Sequence, residues 1–277
     1  MADYLRQSWR LARGQMFSLL LLFLFHLTWS ILFYRFVQAR VIAVMERFPP
    51  AELGNARFQL FASESSLLLE KSDLATPVLW MLLVYVAGKL LLTPILYAGV
   101  YTSLLNPVRA RGTIFFEGMR SFGGSFIWLY LLRLALTALP FYWAAPSFIT
   151  SLNSAASVTQ LLLSLAPWLI GIALYGGTLK LLFTHLQFAL IENRGLLSSL
   201  AFSLRHLPRL SMLACAICGI AIASGAVFYS ISLYWAGFLS IIIYLMYPLV
   251  QIGFRIWAIA AQYEYWESKT SLRNHFR

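Results

Sequence analysis

The sequence predicts an all-α, polytopic membrane protein in which six transmembrane helices are joined by three amphipathic helices lying in the cytoplasmic interface. Three observations predict it. The chain of 277 residues is 60 % apolar and only 11 % charged, whereas roughly a quarter of the residues of a soluble domain carry charge. Apolar runs of the ~20 residues needed to cross hydrocarbon lie at 16–34, 78–105, 126–149, 161–190, 210–232 and 236–262. The basic residues fall in alternate connections between those runs. Residues 1–277 therefore read as a single integral membrane domain.

The N-terminal DYLRQSWRLARGQM sets Leu5, Trp9, Ala12 and Met16 on one helical stripe, with Arg6, Arg10 and Arg13 beside it. That pattern predicts a basic interfacial helix over 3–15. The apolar run that follows is read as a retained span, because YRFVQARV after it offers no small-residue cleavage pattern. Between spans one and two, the 35–77 loop balances five basic residues with five acidic ones. As the one sizeable extracytoplasmic segment, its 51–76 portion is the expected lid or docking place for an envelope protein.

Span two carries Lys89 and Pro94 and gives way at Asn106-Pro107 to a basic loop. In TIFFEGMRSFGGSF, Phe115, Met119 and Phe122 form a second amphipathic stripe, predicted as an interfacial helix over 113–123 beside Arg120. Span three holds Arg133, and Pro140 and Pro146 predict an irregular connection at the membrane edge. Span four contains Lys180 and His185 and leaves at Glu192. The third interfacial helix is expected at 196–207, where Leu196, Leu197, Leu200, Leu204 and Leu207 share one face and Ser198, Ser199, Ser203, Arg205 and His206 share the other. Spans five and six form a tight hairpin near 234–237.

The net charge of +11 could indicate nucleic acid, but its placement argues otherwise. Arg6, Arg10, Arg13, Arg109, Arg111, Arg120, Arg194, Arg205, Arg209, Lys269, Arg273 and Arg277 all fall on one side, against Asp3, Glu117, Glu192, Glu264 and Glu267. By the positive-inside rule both termini are cytoplasmic. Basic residues such as Arg10, Arg13, Arg120, Arg205 and Arg209 then serve topology and contacts to anionic headgroups, worth ~1 kcal/mol each near the surface. No nucleic-acid partner is expected. Cys215 and Cys218 lie within span five without further ligands, so C-x-x-C there reads as small-residue packing.

A repeat is visible. Aligning Arg10, Arg120 and Arg205 superimposes WRLARGQMFSLL, MRSFGGSFIWLY and LRHLPRLSMLAC, each ramping into a span. In the even spans Lys89, Lys180 and Arg255 are followed eight residues later by Tyr97, Phe188 and Tyr263, and twelve residues later by Tyr101, Glu192 and Glu267. Copies of a two-span unit share one orientation, which predicts a pseudo-threefold arrangement about the membrane normal.

Lys89, Arg133, Lys180 and Arg255 are the costly residues, at ~2.5–3.5 kcal/mol each near a helix centre. From Leu74 to Tyr263 the only acidic residues are Glu117 and Glu192. Lys89 and Lys180 stand roughly 18 Å along the helix from Tyr101 and Glu192, too deep for easy snorkelling. Either these four bind an anion or a lipid headgroup, or their heads reach loosened carbonyls and annular lipid. Glu192 is the first candidate to pair with Arg194 or an inward-facing cation. Enzyme signatures are missing from the sequence: there is no H-E-x-x-H, no G-x-S-x-G, no phosphate loop and no metal-ligand spacing. No catalytic residue, metal or cofactor is expected.

The pattern Glu192-x-x-Gly195-Leu196-x-x-Ser199-Leu200-x-x-Ser203-Leu204-Arg205, set between two long spans, resembles the YciC-type family of six-pass bacterial inner-membrane proteins. More distantly, the chain is similar to the membrane domains that accompany glycerophosphodiester phosphodiesterases. The resemblance implies a multi-pass protein of the bacterial cytoplasmic membrane with a role in envelope or lipid homeostasis, and it transfers no catalytic residue. The expected activity is non-enzymatic support of envelope or membrane-lipid organisation. The alternative is a carrier of an anionic amphiphile that uses the basic ring.

Overall fold

The computed structural model describes residues 2–39, 72–106, 111–154, 158–234 and 238–275. Among the described residues every regular element is helical: α1 (Ala2–Arg13), α2 (Met16–Val37), α3 (Ser72–Leu105), α4 (Arg111–Ser154), α5 (Val158–Ile191), α6 (Leu196–Arg205), α7 (Leu207–Tyr234) and α8 (Phe238–His275). Five helical stretches are long and apolar enough to cross a membrane: Met16–Val37, Val78–Leu105, Gly112–Phe148, Leu163–Ile191 and Leu207–Ser232. By length and composition this is a multi-pass membrane protein. The sixth expected span, 236–262, coincides from Phe238 onward with α8, which on its described residues is not among those five. Most of the 35–77 loop, residues 40–71, lies outside the described residues.

Two compact units are distinguished, Leu21–Thr93 on one hand and Met1–Leu20 with Pro94–Arg277 on the other. In the first, the Trp29 ring packs edge-on to Tyr85 at 4.9 Å, and the Tyr85 hydroxyl donates to the Trp29 carbonyl at 3.1 Å. Gly88 makes room for that indole, since a Cβ there would sit 3.2 Å from it.

The second unit is held by helix pairs α7–α8, α1–α8, α4–α5 and α5–α6. Several of its buried polar groups pair with one another, as hydrocarbon favours. Gln15, between α1 and α2, donates Nε2–H to the Ser103 carbonyl at 2.9 Å, while the Ser103 and Ser18 hydroxyls donate to its Oε1 at 2.6 and 3.2 Å. Trp257 of α8 donates its indole N–H to Ser8 of α1. Helices α3 and α4 cross where each offers a glycine. A Cβ on Gly99 would meet the Phe115 carbonyl at 2.8 Å, and one on Gly118 would collide with the Thr102 side chain. Small residues let backbones approach in this way.

Two expectations are corrected. The segment 113–123 is not a separate interfacial helix; it forms the first turns of a 44-residue α4 that runs straight into span three. Nor do Pro140 and Pro146 break the chain, for both lie inside α4. Pro140 has no N–H for the Leu136 carbonyl, and the Tyr175 hydroxyl of α5 donates to that carbonyl instead, at 3.2 Å. Behind Pro146, the Thr150 hydroxyl donates to the Pro146 carbonyl at 2.8 Å.

Candidate anion-binding site

The four cations expected within spans come from three long helices of the second unit and one helix of the first. Lys89 is exposed on α3 within the Leu21–Thr93 unit. In the other unit, Lys180 of α5 lies within electrostatic reach of Arg255 of α8 and Arg133 of α4. Lys180 and Arg255 are exposed, and the half-buried Arg133 guanidinium sits 5.1 Å from the centre of the Tyr130 ring. Among the described residues none of the three forms a salt bridge with a carboxylate. Three like charges gathered from separate helices repel one another and lower the local cost of an anion.

Glu192 does not reach these cations. Its carboxylate pairs with Arg194 at 2.6 Å and accepts a hydrogen bond from the Tyr263 hydroxyl. The Arg194 guanidinium also lies 5.2 Å from the Trp266 ring centre, a cation–π contact. This arrangement is created by the turn that ends α5. Asn193 takes a positive φ of 52°, a left-handed conformation in which asparagine is tolerated. The Arg194 N–H then bonds the Ala189 carbonyl at 2.9 Å and the Asn193 N–H bonds Leu190 at 3.4 Å, which closes a Schellman motif. Burial raises the Glu192 pKa against the lowering effect of Arg194, with Glu267 raising it further. Glu264 is raised by burial and then by Glu267, and Tyr263 is raised by burial and by Glu267 and Glu192.

Beneath that turn, α6 docks on α5. The Ser199 hydroxyl donates to the His185 carbonyl at 2.9 Å, and both Ser199 and Ser203 are buried. Leu196, Leu197 and Leu204 point outward, Leu197 with 85 % of its surface free. Ser199 and Ser203 therefore face protein while Leu196, Leu197 and Leu204 face the surroundings; Leu200 packs on the Leu179, Phe183 and Leu186 cluster of α5, and Ser198 is exposed. His185 is fully buried; its Nδ1–H donates to the Leu181 carbonyl at 2.9 Å, so Nε2 is the acceptor nitrogen and has no partner.

At the core, Tyr101 of α3 meets Phe188 of α5 at 5.1 Å, and Phe188 meets Tyr263 of α8 at 5.4 Å and stacks on Trp266 at 5.6 Å. The eight- and twelve-residue spacings after the even-span cations thus bring aromatic residues from three helices together. The interfacial cations Arg10, Arg13, Arg120, Arg205 and Arg209 are all exposed. Sequence reasoning missed the Tyr263–Glu192 contact and the Trp266 platform, although an aromatic tail reading QYEYW was a signal for them. Cys218 was expected to pack in the chain and is exposed, while Gly225 does pack, against the Tyr247 hydroxyl. Among the described residues no group of three or more His, Cys, Asp or Glu is placed to hold a metal ion.

No protein-family model matches the chain, no curated protein matches it, and no solved structure matches it.

Proposed function

We propose that the protein is a non-enzymatic component of a bacterial inner membrane that organises membrane lipid or the envelope by holding anionic headgroups. The observation that carries this reading is the gathering of Arg133, Lys180 and Arg255 from three helices, with no carboxylate among the described residues in a salt bridge with any of them. In hydrocarbon such a cluster is costly unless an anion or water accompanies it. Outward leucines on α6 agree with a helix seated among acyl chains. The distribution of basic residues supports cytoplasmic termini. The 51–76 loop is proposed as the contact for an envelope protein.

A threefold repeat of two-span units fits the contacts of the second unit. Each amphipathic segment packs on an even-numbered span: α1 on α8, the start of α4 on the end of α3, and α6 on α5. The N-terminal segment meeting the last span is what a closed ring of three such units requires.

The test is lipid retention. Arg133→Gln/Lys180→Gln/Arg255→Gln, folded as judged by circular dichroism, should lose bound phosphatidylglycerol in native mass spectrometry. Equal retention by a folded triple variant would end the proposal. The carrier reading is favoured by one feature, the origin of the cations on three different helices, which lets them part during a transport cycle. It predicts flux of an anionic amphiphile from proteoliposomes, abolished by the same substitutions, and no flux would leave the scaffold.

A further inference from the structure

We propose that a cavity between α1, α7 and α8 is a binding site for the headgroup of an anionic glycerophospholipid. The inference rests on the membrane-lipid reading above but concerns a different place. The cavity holds about 320 Å³ and is lined by Tyr4, Arg209, Met212, Leu213, Tyr265 and Lys269. Its chemistry divides as an amphiphile does. Arg209 and Lys269 supply two cations at the headgroup end, the former with the forked donors that match a phosphate. Met212 and Leu213 continue into α7 as an apolar wall for the start of an acyl chain.

Two further features point to an oxygen-rich anion. Tyr265 is 7 % exposed, and its buried hydroxyl has no hydrogen-bond partner among the described residues. Leaving such a donor unpaired costs about 1–3 kcal/mol, a deficit that a headgroup oxygen removes where its entry opens the packing over the hydroxyl. Its ring is fixed edge-on to Tyr4 at 5.8 Å and lies 6.0 Å from His206, so the hydroxyl is held rather than free to swing into water. Arg209 also borders a second hollow of about 360 Å³ with Arg205, His206 and Pro208. The positive field thus extends along the junction of α6 and α7. Among the described residues no carboxylate lines either hollow.

The experiment titrates the purified full-length protein with dioleoylphosphatidylglycerol or dioleoylphosphatidylcholine in detergent and reads lipid adducts by native mass spectrometry. Arg209→Gln/Lys269→Gln should weaken phosphatidylglycerol binding at least tenfold and leave phosphatidylcholine unchanged. Tyr265→Phe keeps the ring packing and should weaken it about threefold without altering thermal unfolding. If the double variant fails to fold, Tyr265→Phe decides. Unchanged phosphatidylglycerol affinity in folded variants overturns the site, as does complete displacement of the lipid by 10 mM inorganic phosphate, which would mark a free-phosphate site. If these variants bind normally while the Arg133, Lys180 and Arg255 triple variant does not, only this inference falls. If the unaltered protein binds no phosphatidylglycerol, the broader reading falls with it.

Discussion

The indole N–H of Trp257 donates to the Ser8 hydroxyl at 3.0 Å, joining residues 249 positions apart. It ties the first helix to the last, and the Trp9 and Trp257 rings pack edge-on beside it at 5.0 Å. Removing one such bond while keeping the ring should cost about 1 kcal/mol. Ser8→Ala, which leaves both indoles in place, should therefore lower the thermal midpoint in detergent slightly and expose α1 to proteolysis before the rest of the chain. A variant whose N-terminus is no more cleavable than the original would show that α1 is held by other contacts.

Gln15 is the stronger joint. Its amide serves three hydrogen bonds to Ser18 and Ser103 in a site only 2 % exposed. Gln15→Leu preserves bulk but strands those groups, for an expected loss of about 2–4 kcal/mol. Chemical unfolding of the two proteins side by side measures it, and a change below half a kilocalorie would contradict the geometry.

Paired glycine substitutions separate close packing from helix propensity. At Gly118 a new Cβ collides with Thr102 and approaches the Ala98 carbonyl to 3.1 Å, whereas at Gly124 nothing lies within 4 Å. Gly118→Ala should destabilise by about 1–3 kcal/mol, and Gly124→Ala should be neutral or mildly stabilising because it gains helix propensity. Thermal unfolding of both variants checks the ordering.

Glu264 of α8 and Glu192, just past the end of α5, set a pH dependence. Glu264 and Glu192 have pKa values raised above their ordinary 4.5, so the folded chain keeps protons that the unfolded chain has released. Stability then falls as pH rises through the folded pKa values, and it is fullest below the ordinary carboxylate range. Glu264→Gln should remove part of the decline seen as pH rises above the ordinary carboxylate range. An identical slope in the variant would refute the assignment.

Topology follows from the basic residues and is open to labelling. With Cys215 and Cys218 replaced by alanine, single cysteines at Arg6 and Ser198 should react only from the cytoplasmic side, and one at Tyr234 only from the opposite side. All three positions are exposed. Reaction at Ser198 from outside would overturn the layout.

Much of this architecture is legible in the residues because hydrocarbon leaves a chain few choices. Long apolar runs must become helices, and the breaks at Asn106-Pro107 and Glu192-Asn193 carry their own turn chemistry. What could not be read was tertiary. Pro140 looked like a breaker because its compensating donor, Tyr175, lies on another helix. The serine edge of α6 looked wet because nothing in the stretch 196–207 says that Ser199 will meet the His185 carbonyl. For the site, the cost of Lys180 was plain from sequence, but its gathering with Arg255 and Arg133 depends on how α4, α5 and α8 pack. Glu192 was expected to pair with Arg194 or an inward-facing cation, and the left-handed Asn193 selects Arg194.

The bond from Tyr175 to the Leu136 carbonyl also bears on the order of assembly. While residues 126–149 occupy the membrane alone, that carbonyl is left to water or to a local distortion, and α4 has a weak point in its middle. The weak point is mended only when residue 175, made later, comes to lie alongside. The uninterrupted helix is thus a product of the hairpin rather than its precursor, and halting synthesis between the two should leave a segment that is bent at Pro140 and vulnerable to membrane proteases.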